Sequence, residues 1–131
     1  MKKIVLWILT LFVLLSIVSC GPKTIEEAYE NARYKVETLN FVNWEVESEE
    51  FLRTGNAYDG WVYTYEINYY AKISFPSETI EKGQAYSTAG TCYRSILKEF
   101  GNFDVELNLN FYTKSGSFIC TCRVVNGELI Y

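Results

Sequence analysis

The chain has 131 residues, with 16 acidic against 12 basic side chains and a formal charge of −4 at pH 7. That balance argues against nucleic acid as a partner, because phosphate binding needs clustered Lys and Arg. The chain contains no histidine, so the commonest general base and the commonest metal ligand are both missing.

Residues 1–20 read MKKIVLWILTLFVLLSIVSC. Lys2 and Lys3 form a basic start, and an apolar run from Ile4 to Val18 follows, interrupted by Thr10 and Ser16. A basic region, an apolar region and small residues at a cut are the layout of a secretory signal. The run is shorter than the roughly 20 residues a spanning helix needs, and Gly21-Pro22 stops a helix directly after it. Ile17, Val18, Ser19 and Cys20 resemble the lipobox of the bacterial lipoprotein precursor class, in which small residues precede an invariant Cys. The resemblance covers the leader and these four residues only. It implies cleavage after residue 19, a diacylglycerol thioether with palmitate-type acyl chains on Cys20, and a domain held to the cell membrane or outer membrane. Such attachment lasts, since each buried CH₂ contributes about 0.8 kcal/mol. Gly21 stands where enteric members of the class carry an Asp for inner-membrane retention, which leans toward an outer membrane in a cell that has one.

The expected organisation is therefore a signal peptide over 1–19, a lipidated Cys and short tether over 20–23, and one small domain over 24–131. Loss of Lys2 and Lys3 takes the formal charge from −4 to −6, which favours basic partners or simple solubility.

Thr24-Ile25-Glu26-Glu27 reads as a capping box. Ile25, Ala28, Tyr29, Ala32, Val36 and Leu39 recur at three- and four-residue spacing, so an amphipathic helix is expected over 25–39. From Phe41 the period changes to two. Val42, Trp44 and Val46 alternate with Asn43, Glu45 and Glu47, and a strand runs on less regularly through Phe51 and Leu52. Thr54 to Gly60 is turn chemistry. A second strand is expected over 61–75, with Trp61, Tyr63, Tyr65, Ile67, Tyr69, Ala71, Ile73 and Phe75 on one face. A loop over 76–84 follows, with Ser77-Glu78 as an early alternative helix start. A second helix is placed over 85–100 on the stripe Ala85, Ala89, Cys92, Tyr93, Ile96, Leu97 and Phe100, ending at Gly101-Asn102. The last hairpin pairs Phe103–Tyr112 with Phe118–Val125 around Lys114-Ser115-Gly116-Ser117. Asn126-Gly127 is a tight-turn signal, so 128–131 add a short strand piece.

The order α-β-β-α-β-β defines an α+β fold of two helix-plus-hairpin units, an antiparallel sheet with both helices on one face. Cystatin-like and nuclear-transport-factor-2-like architectures are neighbours by fold-level analogy. A faint internal echo links Tyr34-Lys35 and Trp44-Glu45-Val46-Glu47 with Tyr93-Arg94 and Phe103-Asp104-Val105-Glu106. It fits either an old duplication or shared helix-to-strand geometry.

Chemistry-bearing residues are few. With Cys20 assigned to lipid, Cys92, Cys120 and Cys122 remain in a compartment where disulfides form. Cys120 and Cys122 share a strand face and are poorly placed to bond each other. Either Cys92 bridges Cys120 or Cys122, or all three are buried thiols. Three Cys without a His make a poor metal site, and no metal or cofactor is expected. Glu45 with Glu47, and Asp104 with Glu106, alternate with apolar residues like an ordinary solvated sheet face. No nucleophile elbow, S-x-x-K or phosphate-cradling glycine loop occurs, so catalysis is not expected. Trp61, Tyr63, Tyr65 and Tyr69 are expected as core beneath the helices, with a cavity lining or contact patch as the alternative. Tyr58, Tyr70 and Tyr112 lie off the apolar faces and are candidates for surface contact. The chain thus reads as a membrane-anchored lipoprotein that binds or supports a partner at the cell envelope. The alternatives are an acidic inhibitor or immunity protein for a basic envelope enzyme, and a small-ligand carrier.

Overall fold

The computed structural model describes Pro22 and residues 24–130. The expected signal peptide, lipobox and acylation site at Cys20 lie outside the described residues. None of the described helices is long and apolar enough to cross a membrane.

The first helix, α1, is Ile25–Thr38, and the Thr24 hydroxyl accepts from the Glu27 amide at 3.1 Å, so the cap read from sequence is made. Its buried positions are Ile25, Ala28, Ala32 and Val36, one stripe of small and branched residues. Strand β1 is Trp44–Asn56 and β2 is Gly60–Ala71. The turn between them is only residues 57–59, where the Asn56 side-chain oxygen accepts from the amides of Tyr58 and Asp59 at 2.9 and 2.8 Å. β2 stops at Ala71, opposite Trp44 at the start of β1; beyond that row Ile73 is exposed and Phe75 packs on Trp44.

The second helix, α2, is Glu78–Lys98. It begins at the early alternative, where the Ser77 hydroxyl accepts from the Ile80 amide at 3.2 Å. Its first two turns are exposed or half-buried, so no apolar stripe marked them in the sequence. Strands β3 (Val105–Tyr112), β4 (Phe118–Val125) and β5 (Glu128–Ile130) complete the chain. Asn126 and Gly127 both take left-handed φ, 52° and 77°, the conformation a two-residue hairpin turn demands.

The five strands lie in the order β1-β2-β3-β4-β5. The α+β architecture holds, with both helices feeding one core from the same face. Three of the four pairings are antiparallel, while the central pair β2–β3 is parallel, Tyr63 opposite Val105 through Tyr70 opposite Tyr112. A parallel pair requires a crossover long enough to return the chain, and α2 is that crossover.

This connectivity bears on the internal echo. β1 and β3 run in opposite directions, so superposing them within the sheet plane takes a half-turn about the sheet normal. A half-turn also reverses strand order and would place β4 between β2 and β3, whereas β3 occupies that position. No rigid motion that keeps the helices on their face relates the two units in this strand order.

The core is a sandwich of the α1 and α2 stripes on Tyr65, Ile67, Tyr69 and Ala71 of β2, Val105 to Phe111 of β3, and Cys122 and Val124 of β4. Aromatic rings run through it: Tyr29 stacks on Phe51 at 4.7 Å, Phe51 on Phe100 at 6.0 Å, and Tyr69 on Phe111 at 5.4 Å.

Candidate functional site

One irregularity shapes the most chemically furnished part of the surface. Trp44 and Val46 pair with the core-facing Ala71 and Tyr69, but Glu47 is skipped, and from there Glu49 and Phe51 pair with the core-facing Ile67 and Tyr65. The β-bulge at Glu47 exchanges the inward parity from even to odd numbers. Bulges re-aim side chains in this way. Its effect is to turn Glu49, a strand carboxylate, toward the helix side of the sheet.

There Glu49 meets α1. Its side chain is 16% exposed, and Arg33 Nε lies 2.9 Å from one oxygen. The Tyr65 hydroxyl donates to the other at 2.5 Å. Burial raises the Tyr65 phenol above its ordinary value, and the bonded, negative Glu49 raises it further. Tyr69 is likewise raised, by burial first, then by Cys92 and Glu49. Both phenols therefore stay protonated and neutral. Tyr29 moves the same way through burial and Glu49, while Glu49 holds the Arg33 guanidinium more firmly charged.

Beside Glu49 a cleft of about 330 Å³ opens between the C-terminal half of α1 and the bulged part of β1. Val36, Leu39 and Val46 supply apolar wall, Glu37, Glu45 and Glu49 supply carboxylates, and Trp44 and Tyr69 line it from the core side. Trp44 Nε1 and the Tyr69 hydroxyl are buried, and neither has a hydrogen-bond partner among the described residues. Leaving such a group unpaired costs about 1–3 kcal/mol. A bound molecule with acceptor atoms could recover part of that cost, and one with a hydroxyl or ammonium group would suit the carboxylates. The volume lies within the range of small-molecule sites.

The residues singled out from sequence lie elsewhere. Tyr70 and Tyr112 come together on the face of the sheet away from the helices, ring centroids 5.1 Å apart, with Phe118 5.8 Å from Tyr112. Tyr58 is 99% exposed in the β1–β2 turn, at the opposite end of the hairpin from Tyr70. Beside the Tyr70–Tyr112 pair a polar ladder crosses four strands: Asn68 donates to Ser48 at 2.9 Å, Asn110 to Asn68 at 2.9 Å and to Glu66 at 2.6 Å, and Thr121 to Asn110 at 2.6 Å. Of the aromatic residues expected as core, Tyr65 and Tyr69 are buried, Tyr63 is half-buried, and Trp61 is exposed with Arg53 stacked 4.0 Å over its ring.

The two carboxylate pairs named from the sequence have separate surroundings. The bulge separates Glu45 from Glu47; Asp104 precedes β3, and Glu106 pairs with Arg123 at 3.4 Å. Cys92, Cys120 and Cys122 are all buried free thiols, so the bridge from Cys92 is not made in the structure. Each sulfur has another neighbour: Cys92 Sγ lies 3.8 Å from the Ala89 carbonyl, and Cys120 and Cys122, although two apart on one strand, share a thiol hydrogen bond. That bond lowers Cys120 and raises Cys122, while burial pushes Cys92 up to about 12. Among the described residues no cluster of three or more His, Cys, Asp or Glu side chains is arranged to hold a metal ion.

Sequence reasoning missed Glu49 and the cleft. The signal was the parity change itself, since Trp44 and Val46 cannot share a regular strand face with Phe51. No protein-family model, no curated protein and no solved structure matches this chain.

Proposed function

We propose that the chain is an exported bacterial lipoprotein, acylated on Cys20, whose domain is a non-catalytic binding module of the cell envelope with its ligand site in the cleft between α1 and the bulge of β1. The leader and its lipobox support the anchor. The observation supporting the ligand site is one small cleft lined by Trp44 and Tyr69, residues whose Nε1 and hydroxyl are buried and have no hydrogen-bond partner among the described residues. A fold optimised for stability alone would pair or omit them. The ligand class that fits is a small polar molecule with acceptor oxygens and a hydroxyl or amino group.

The test uses Tyr69→Phe. Removing an unpaired hydroxyl should leave stability unchanged or raise it by up to about 1 kcal/mol, while weakening any small-molecule hit found by thermal-shift screening of polyols, amino alcohols and amino sugars. A clear destabilisation would show that the hydroxyl already has a partner and would remove the basis for the site. The anchor is tested separately. Cys20→Ala should leave unprocessed precursor and abolish incorporation of a fatty-acid analogue, and full labelling of that variant would end the lipoprotein reading.

A second reading, contact with an envelope protein, is favoured by the Tyr70–Tyr112–Phe118 cluster, where Phe118 remains 62% exposed. Aromatic residues of this kind are enriched at protein interfaces. Phe118→Asp would disrupt that contact without touching the cleft.

A further inference from the structure

The β1–β2 hairpin runs past the rest of the sheet. β3 starts at Val105, opposite Tyr63, so β2 before Tyr63 and the end of β1 have no strand beyond them on that side. Every residue from 52 to 62 is exposed. At about 3.3 Å per residue, the turn stands roughly 15 Å beyond the Tyr63–Val105 row. Large apolar and aromatic side chains crowd this projection: Tyr58 is 99% exposed, Val62 49%, Trp61 45% and Leu52 38%. Its only charges from residue 51 to 62 are Arg53 and Asp59, which cancel. An otherwise acidic domain thus carries one neutral, aromatic finger.

The chain enters the domain at the same end. Pro22 sits against Gly101, where an added Cβ would lie 3.2 Å from the proline Cδ. Gly101 follows α2 and precedes β3 by four residues. Because β2 and β3 are parallel, the start of β3 marks the hairpin end of the sheet. Residue 20 is two peptide units from Pro22, at most about 7.6 Å between Cα atoms. An acyl chain on Cys20 therefore brings this end of the domain to the bilayer.

From this coincidence we propose that the hairpin end is a second membrane contact, placing Tyr58, Trp61, Val62 and Leu52 in the lipid interface beside the anchor. The inference rests on the reading of Cys20 as the acylated residue. Trp and Tyr favour the headgroup level, where an apolar ring and a polar tip are both satisfied. Neutrality suits an anionic surface that would repel the rest of the domain.

The processed protein carries two tryptophans, since Trp7 belongs to the leader; Trp44 is buried and Trp61 is the exposed reporter. Lipidated protein is reconstituted into phosphatidylcholine vesicles with and without brominated acyl chains, and flotation and Trp emission are read together. The expected result is flotation, a blue-shifted emission and strong quenching by the brominated lipid. Trp61→Phe should remove the quenching, and Tyr58→Asp with Val62→Asp should lose most of it, while both variants still float and keep the parent circular dichroism. Protein that floats without quenching overturns the hairpin contact alone. Protein that does not float overturns the anchor and the contact together.

Discussion

The hydrogen bond from Tyr65 to Glu49 ties β1, β2 and α1 into one unit, and its strength can be measured as a coupling. Tyr65→Phe removes the donor and keeps the ring that packs on Tyr29 and Phe100. Glu49→Gln removes the charge while leaving an amide oxygen in the same place. Tyr65 is in the buried core and Glu49 is mostly shielded, and a bond to an ionised acceptor under such conditions contributes about 1.5–3 kcal/mol. Arg33 faces solvent, so its ion pair is largely screened and the cycle is dominated by the hydroxyl. A double-mutant cycle on Tyr65→Phe and Glu49→Gln, read by urea unfolding at pH 7 with far-ultraviolet circular dichroism, should return a coupling of about 1–2 kcal/mol, because Gln retains part of the bond. Each single variant should lower the midpoint temperature by roughly 4–8 °C per kcal/mol lost. A coupling below about 0.5 kcal/mol would show that the two side chains act independently. The bulge would then have no role in holding Glu49 against the helix.

Stability should fall on the alkaline side. The Cys92 thiol ordinarily titrates at 9.0 and is pushed up to about 12 by burial, so between these values the unfolded chain gives up a proton that the folded chain keeps. That contribution is complete below pH 9 and is lost as pH rises toward 12, by up to about 1.4 kcal/mol per pH unit. Cys122, also raised, acts in the same direction from 9.0 upward, and Tyr65 and Tyr69 from 10.0 upward, while Cys120, lowered, adds stability only as pH rises to 9. Urea midpoints from pH 7 to 10 should show the decline, and Cys92→Ala should make it shallower, with Cys122 carrying the remainder; a level profile in the parent would contradict the burial. Gly55→Ala should loosen the hairpin end by more than about 1 kcal/mol, since φ is +109° and the new Cβ would collide with the Gly60 carbonyl oxygen. Amide exchange at Thr54 and Val62 should accelerate while the core amides stay protected, and unchanged exchange would argue against that geometry. Chain unfolded without reductant should alkylate at all three of Cys92, Cys120 and Cys122, and recovery of a Cys92-linked peptide would restore the bridge expected from spacing.

Much of the fold was legible because its signals are local. Thr24 and Ser77 cap helices through their own hydroxyls, Asn126-Gly127 can take positive φ, and the Val105–Phe111 alternation needs only its own strand to be read. The parallel β2–β3 pairing was not legible. The 33 residues between Ala71 and Val105 can return the chain beside β2 in either direction, and tertiary packing of α2 decides. The site was hidden for a related reason. Glu49 reads as one more solvated strand carboxylate until the skipped residue at Glu47 turns it inward, and a bulge is a property of two strands in register. Tyr70 and Tyr112 were identifiable as off-core residues, but their meeting depends on that same parallel register.

β1 is also the outer edge of the sheet, thirteen residues long, with one side of its backbone unpaired. A long open edge invites a second copy to add itself as a strand. If the chain is lipid-anchored as proposed, that hazard grows, because two-dimensional confinement keeps copies close and similarly oriented. Glu45, Glu47, Glu49 and Glu50 all fall on this edge, and the bulge breaks its hydrogen-bonding rhythm. Two such edges brought together would oppose carboxylates and fail to match spacing, which disfavours edge-to-edge pairing.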